Sequence, residues 1–239
     1  MATITVSDKE YNDGNLYYVQ SATAEILGAT GSAFRIVKSG DRAVLTIDCP
    51  DSYSEIVSTE IADKLADIVA INYKYDYFKK NIFISGLGKT ESEILLASLI
   101  AADLDDDKKY VFDKIKNSNS VALDGVFNFR LQPLKRKWQD VVSYIPPAFM
   151  NSQLKEFISY LLENKRKRIY IDCGKVYDSH FRRLKKSDLL GGGDVNVVKE
   201  AILSNCGEIE LFGALPEADE KYLKEFYGDR IYFSSGYFN

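Results

Sequence analysis

In a chain of 239 residues, the side chains whose type and spacing could do chemistry are few: one histidine, three cysteines, and a lysine and an aspartate that each follow glycines. Ile82-Phe83-Ile84-Ser85-Gly86-Leu87-Gly88-Lys89-Thr90 sets an apolar run and a glycine turn before Gly-Lys-Thr and a helical pattern. That order invites a nucleotide phosphate held by consecutive amides, for which the spacing is G-x-x-x-x-G-K-[ST]. The first glycine of that spacing falls at position 83, where Phe83 stands, so a turn feeding a capped helix is the favoured reading. A second glycine run, Gly191-Gly192-Gly193, precedes Asp194, whose carboxylate is a good N-cap and would itself occupy an anion position. His180 stands in Tyr177-Asp178-Ser179-His180-Phe181 without a G-x-S-x-G elbow and reads as a surface residue. Cys49, Cys173 and Cys206 are widely spaced and odd in number, as expected of reduced thiols buried as small hydrophobes. No catalytic residue, metal ligand or cofactor is assigned.

The charge distribution is more distinctive. Between residues 131 and 190 there are 13 Lys and Arg against 6 Asp and Glu, in a chain whose net charge is −4. Lys165, Arg166, Lys167 and Arg168 join a helical pattern to a strand pattern, and Arg182, Arg183, Lys185 and Lys186 lie in the loop that follows. If the two clusters meet, they form an anion site for phosphate, RNA or an acidic partner; otherwise they are a solvated face. No RNA-binding aromatic signature stands beside them in the sequence. A pI near 5.3 argues against a protein that is basic throughout.

The elements that must position these residues follow from periodicity. A composition 46% hydrophobic and 28% charged calls for a packed core and excludes wholesale disorder. Residues 2–6 alternate as a strand, 15–27 repeat apolar residues as a helix, and 33–37 with 42–48 flank Ser39-Gly40-Asp41 as a hairpin. A long helix opens at Pro50 and carries Val57, Ile61, Leu65, Ile68 and Val69; over 73–77 helix and strand cannot be separated. Thr90 to Glu93 forms a capping box, and Asp105-Asp106-Asp107 opens the next helix. Residues 121–129 are mixed, and a helix from Pro133 ends at Pro146-Pro147. Helix 152–164, strand 168–173, helix 194–204, strand 208–212, helix 218–227 and strand 230–233 then alternate, which favours parallel pairing. The expected fold is α+β, with an N-terminal β-α-β-β-α unit (1–88), a helical middle (89–150) and a C-terminal layer of strands alternating with helices (151–239).

The sequence also resembles a known family. Leu123-Asp124-Gly125-Val126-Phe127-Asn128-Phe129-Arg130-Leu131 is similar to the L-D-G-F-x-N-F-R-L block of the YtxC-like family of sporulation proteins. Leu65 to Val69 leading into 73–82 resembles its mid-region helix, and Phe157-Ile158-Ser159-Tyr160-Leu161-Leu162 its E-F-I-x-L-L-x-Y helix. Residues 194–204, 209–211 and 226–231 follow its closing order, so the resemblance spans the chain from about Ser52 onward. The chain departs from the family at Pro133, and at Ser234-Ser235-Gly236-Tyr237, where the family carries cysteines. The resemblance implies a cytoplasmic protein of a Gram-positive spore-former and no particular reaction. Phe127, Phe129 and Arg130 read either as core aromatics with a structural arginine on an internal carboxylate, or as a recognition arginine beside an aromatic wall.

No basic region followed by an apolar stretch opens the chain, and its longest apolar run, 94–102, is short of the ~20 residues that span a bilayer. These features fit the cytoplasm. The expected function is non-enzymatic: a sporulation-associated protein acting through macromolecular contacts, with a protein or polyanion as partner. The alternatives are nucleic-acid binding by the 165–186 surface and a nucleotide-dependent enzyme built on residues 86–90.

Overall fold

The computed structural model describes residues 1–234, so positions 235–237 of the departure from the family lie outside the described residues. In chain order the first elements are β1 (Ala2–Lys9), α1 (Asp13–Ala29), β2 (Ala33–Ser39), β3 (Arg42–Cys49), α2 (Ser54–Asp67), a π-helical turn (Ile68–Tyr73) and α3 (Lys74–Asn81). Next come α4 (Lys89–Ala101), α5 (Leu104–Ile115), β4 (Ser120–Ala122), the single turn α6 (Leu123–Gly125), a second π-helical segment (Val126–Arg130) and α7 (Gln132–Tyr144). The rest is α8 (Asn151–Leu162), β5 (Arg168–Asp172), β6 (Lys175–Tyr177), α9 (Asn196–Leu203), β7 (Glu208–Phe212), α10 (Glu217–Tyr227) and β8 (Ile231–Phe233). The α+β class expected from the sequence is what the chain adopts. Its packing divides it into two units, one of Met1–Lys74 with Asp105–Val141, the other of Tyr75–Leu104 with everything from Val142. Both are discontinuous in sequence, unlike the contiguous segments 1–88, 89–150 and 151–239.

The first unit is built on a sheet of order β2-β3-β1-β4. β1 and β3 pair antiparallel with Ile4 opposite Ile47 and Val6 opposite Leu45, and β4 joins in parallel with Val121 beside Val6. Period-two alternation turns Ile4, Val6, Leu45 and Ile47 inward, where Leu16, Val19 and Leu27 of α1 meet them, and Val57, Ile61 and Leu65 of α2 repeat at four residues on a helix packed against α1. The same alternation carries Asp8 inside. Its carboxylate accepts hydrogen bonds from Asn15 (2.9 Å), Tyr73 (2.7 Å) and the Lys9 amide (2.8 Å), so a buried acid is fully partnered.

The second unit holds a sheet of order β6-β5-β7-β8, with β5, β7 and β8 parallel and β6 antiparallel at the edge. Ile169, Ile171, Val176, Ile209 and Leu211 face its core. The core helix is α9, buried from Val197 to Leu203 and packed against α4 and α10.

Packing decides one reading that periodicity left open, and two local expectations need correction. Residues 73–77 are helical, because Lys74, Tyr75 and Phe78 are all buried and a strand could not turn that set inward together. Residues 82–84 form no ladder; the segment is tied down instead by the Ser85–Ala148 bridge and by Gly86, whose φ of +93° leaves it where a Cβ would meet the Phe149 carbonyl at 2.8 Å. The loop after β5 contains β6, too short and too polar to stand out. The helix caps differ as well. Gly88, not Thr90, precedes α4, and the α9 amide of Val198 is capped by Asp219 of α10 (3.0 Å) rather than by Asp194.

Candidate functional site

β5 reads Arg168-Ile169-Tyr170-Ile171-Asp172, so with both isoleucines in the core Arg168, Tyr170 and Asp172 must share the opposite face. Strand register extends that face across the sheet. Tyr170 lies opposite Tyr177 of β6 and beside Glu210 of β7, and Glu210 lies beside Tyr232 of β8. Beyond β6 the chain folds back, and Arg183 bridges to Tyr177. One row therefore runs Arg183, Tyr177, Tyr170, Glu210, Tyr232. At the usual strand spacing Arg183 stands about 10 Å across the sheet from Tyr170. The Phe181 ring lies 4.8 Å from the Tyr170 ring and the Phe212 ring 6.5 Å from it.

This register decides how the two basic clusters sit. β6 runs antiparallel to β5, so the loop after Tyr177 returns toward the end of β5 where Lys165, Arg166 and Lys167 enter. Those three side chains and Arg183 are exposed and form no ion pair among the described residues; Arg182 reaches Asp178 only at 3.9 Å. Backbone fixes the first cluster at the entry to β5: the Lys167 carbonyl accepts from Gly207 N (2.8 Å), and a Cβ at Gly207 would lie 1.9 Å from the Lys165 carbonyl oxygen. Arg168 belongs to the face rather than the rim. It donates to Glu208 (2.7 Å) and Glu210 (3.4 Å) and lies 4.9 Å from the centre of the Tyr232 ring, and Glu208 raises its pKa further. Lys186 is turned to the helical side, where its amide and that of Ser187 donate to buried Glu200 at 3.1 and 2.6 Å. Lys185 is half-buried.

The remaining candidates are occupied by local structure. On either side of residues 86–90, Ser85 N donates to the Pro147 carbonyl (3.0 Å), and Glu91, in the first turn of α4, accepts from the Tyr222 hydroxyl. His180 is exposed, and its amide donates to Asp178 (2.8 Å) within the same turn. Below the glycine run, buried Lys199 donates to the Gly192 carbonyl (2.9 Å) and pairs with Glu93 (3.5 Å). Cys206 is buried and its thiol is pushed up to about 12, and burial also raises Cys49. Cys173 corrects the expectation of three buried thiols: it is exposed, and neighbouring Asp172 raises its pKa.

In the first unit, Asp124 of the L-D-G block does bind an arginine, but that arginine is Arg42 (2.7 and 3.3 Å) and not Arg130. Phe127 packs against Tyr73 (4.8 Å) and Trp138 (5.7 Å), under the Lys135 ammonium at 4.2 Å. Phe129 is 82% exposed and Arg130 is exposed beside it, so the arginine is not the internal ion-pair partner that the structural reading expected.

Among the described residues, no three His, Cys, Asp or Glu side chains are grouped to hold a metal ion, and no helix is long and apolar enough to cross a membrane. No protein-family model matches the chain, and no curated protein or solved structure matches it. The aromatics of the second sheet were missed from sequence because Tyr170, Tyr177, Phe212 and Tyr232 come from four different strands. The signal available was the alternation of isoleucine with Arg168, Tyr170 and Asp172 in β5, which leaves one face of that strand outside the core.

Proposed function

We propose that this chain is a non-enzymatic binding protein whose ligand is a polyanion, taken at the rim of the second sheet by Lys165, Arg166, Lys167, Arg182 and Arg183. One observation carries the reading: two basic clusters separated in sequence flank the same end of one sheet, with four of these five cations free of ion pairs among the described residues. An unpaired surface cation gains most from a phosphate or sulfate, because it gives up no protein partner to bind it. The resemblance to the YtxC-like family adds the setting, a cytoplasmic sporulation-associated role in a Gram-positive spore-former.

Heparin binding by the purified chain tests this. The double variant Lys165→Glu/Arg183→Glu should lose at least tenfold in affinity at low salt, with its circular dichroism unchanged. Retention of the wild-type affinity by that variant would overturn the reading.

A second reading rests on Phe129 and Arg130, exposed neighbours that follow the half-buried Asp124–Arg42 pair, as a contact for a protein partner. On that reading Phe129→Ser loses a partner that the wild type retains through purification; identical partners for both chains remove it.

A further inference from the structure

The face between the basic clusters differs chemically from their rim. It carries Glu208, Glu210 and Asp172, which repel phosphate, alongside the rings of Tyr170, Tyr177, Phe212 and Tyr232. Phe181 is 57% exposed and Tyr232 44% exposed, with Phe181 leaning over Tyr170 and the Arg168 guanidinium over Tyr232. A polyanion that carries only charge, such as polyphosphate or heparin, has nothing to offer this face. A ligand whose anionic backbone stays at the rim while flat, uncharged groups project inward suits both parts.

We propose that the outer face of the second sheet stacks the bases of single-stranded nucleic acid, with the phosphates held by the rim cations. The inference rests on the polyanion reading above and names its ligand class. Unpaired bases expose their π-faces to aromatic side chains, whereas a duplex presents only edges and backbone. Glu210 sits within the row between Tyr170 and Tyr232. Its carboxylate accepts from the Ser234 hydroxyl (2.7 Å) on one oxygen and from Arg168 (3.4 Å) on the other, and it is the kind of acceptor that the exocyclic amino group of cytosine uses. The acids that weaken a purely electrostatic site therefore keep the phosphates at the rim.

Fluorescence anisotropy of the full chain with a labelled 20-nucleotide deoxythymidine oligomer, a 20-base-pair duplex and heparin separates the possibilities. The single strand should bind more tightly than the duplex. Phe181→Ala should weaken it by roughly 5- to 150-fold, the range for one stacked base, and Tyr170→Ala, which removes the ring that Phe181 packs on, should weaken it as well, both with heparin affinity unchanged. Tyr170→Phe should keep wild-type affinity. Phe181 is on an exposed loop, so its truncation remains informative even if Tyr170→Ala fails to fold. Heparin binding with no preference for the single strand, or equal losses for both ligands in Phe181→Ala, overturns base stacking and leaves the polyanion reading standing. Absence of binding to all three overturns both.

Discussion

Two buried side chains show how a single residue sets stability here. Trp138 is fully buried in the first unit, and its indole N–H donates to Asp107 (2.9 Å), which also holds Lys74 at 2.7 Å and Lys137 at 2.6 Å. Trp138→Phe fills most of the space but leaves that carboxylate one donor short. It should cost about 1–3 kcal/mol, the usual penalty for removing one partner of a buried polar group, read as a shift in the urea midpoint at constant slope. Glu200 is the second. Burial raises its carboxyl above the ordinary value, with the Ser187 and Lys186 amides opposing. For an acid with a raised folded pKa, the favourable state is the protonated one. Its contribution is present below the unfolded carboxylate pKa and is lost as pH rises through the folded one. The stability of the wild type relative to Glu200→Gln should therefore fall as pH rises across that window. A difference that grows with pH would contradict the assignment.

At the scale of elements, Gly207 decides where the first basic cluster enters the sheet. It immediately precedes β7, where the Lys165 carbonyl leaves no room for a Cβ and the Lys167 carbonyl takes the Gly207 amide. Gly207→Ala should destabilise the chain by about 1–3 kcal/mol, as overpacking against backbone does, and should move Lys165, Arg166 and Lys167 together. Heparin affinity would then fall although no charge has changed. An alanine variant with wild-type stability and affinity would show that the close approach is relieved elsewhere. The elements themselves were legible where one face is buried, as in β1, α1, β3, α5, α7, β7 and α10, which follow their periodicity to within a few residues; β2, which has no buried residue, was legible through the Ser39-Gly40-Asp41 turn. Legibility failed where a tertiary partner overrides the local signal. The α9 cap comes from Asp219 on another helix, and β6 has Val176 as its one core residue and exists by pairing with β5.

For the whole molecule, the uneven charge matters more than the net value of −4. A chain repelled overall by polyanions binds them only through its local cations, so affinity should depend steeply on salt. With five rim cations engaged on a single strand, log K against log salt should fall with a slope of about −3 to −4. A slope near zero would mean that the rim makes no phosphate contact.

Composition and pattern by themselves determined the α+β class, the order of most of the helices and strands, and the excess of Lys and Arg between residues 131 and 190. Each of these depends on neighbours within a few positions along the chain, through burial periodicity, capping and turn chemistry. Only the tertiary structure decided that β6 runs back antiparallel and brings Arg182 and Arg183 toward the end where Lys165, Arg166 and Lys167 enter. It alone turned Arg168 onto Glu208 and Glu210, set Lys186 on the helical side, and assembled a row of tyrosines from three strands. The physical reason is register: hydrogen bonding between strands distant in sequence fixes which side chains share a face, and no local pattern carries that pairing.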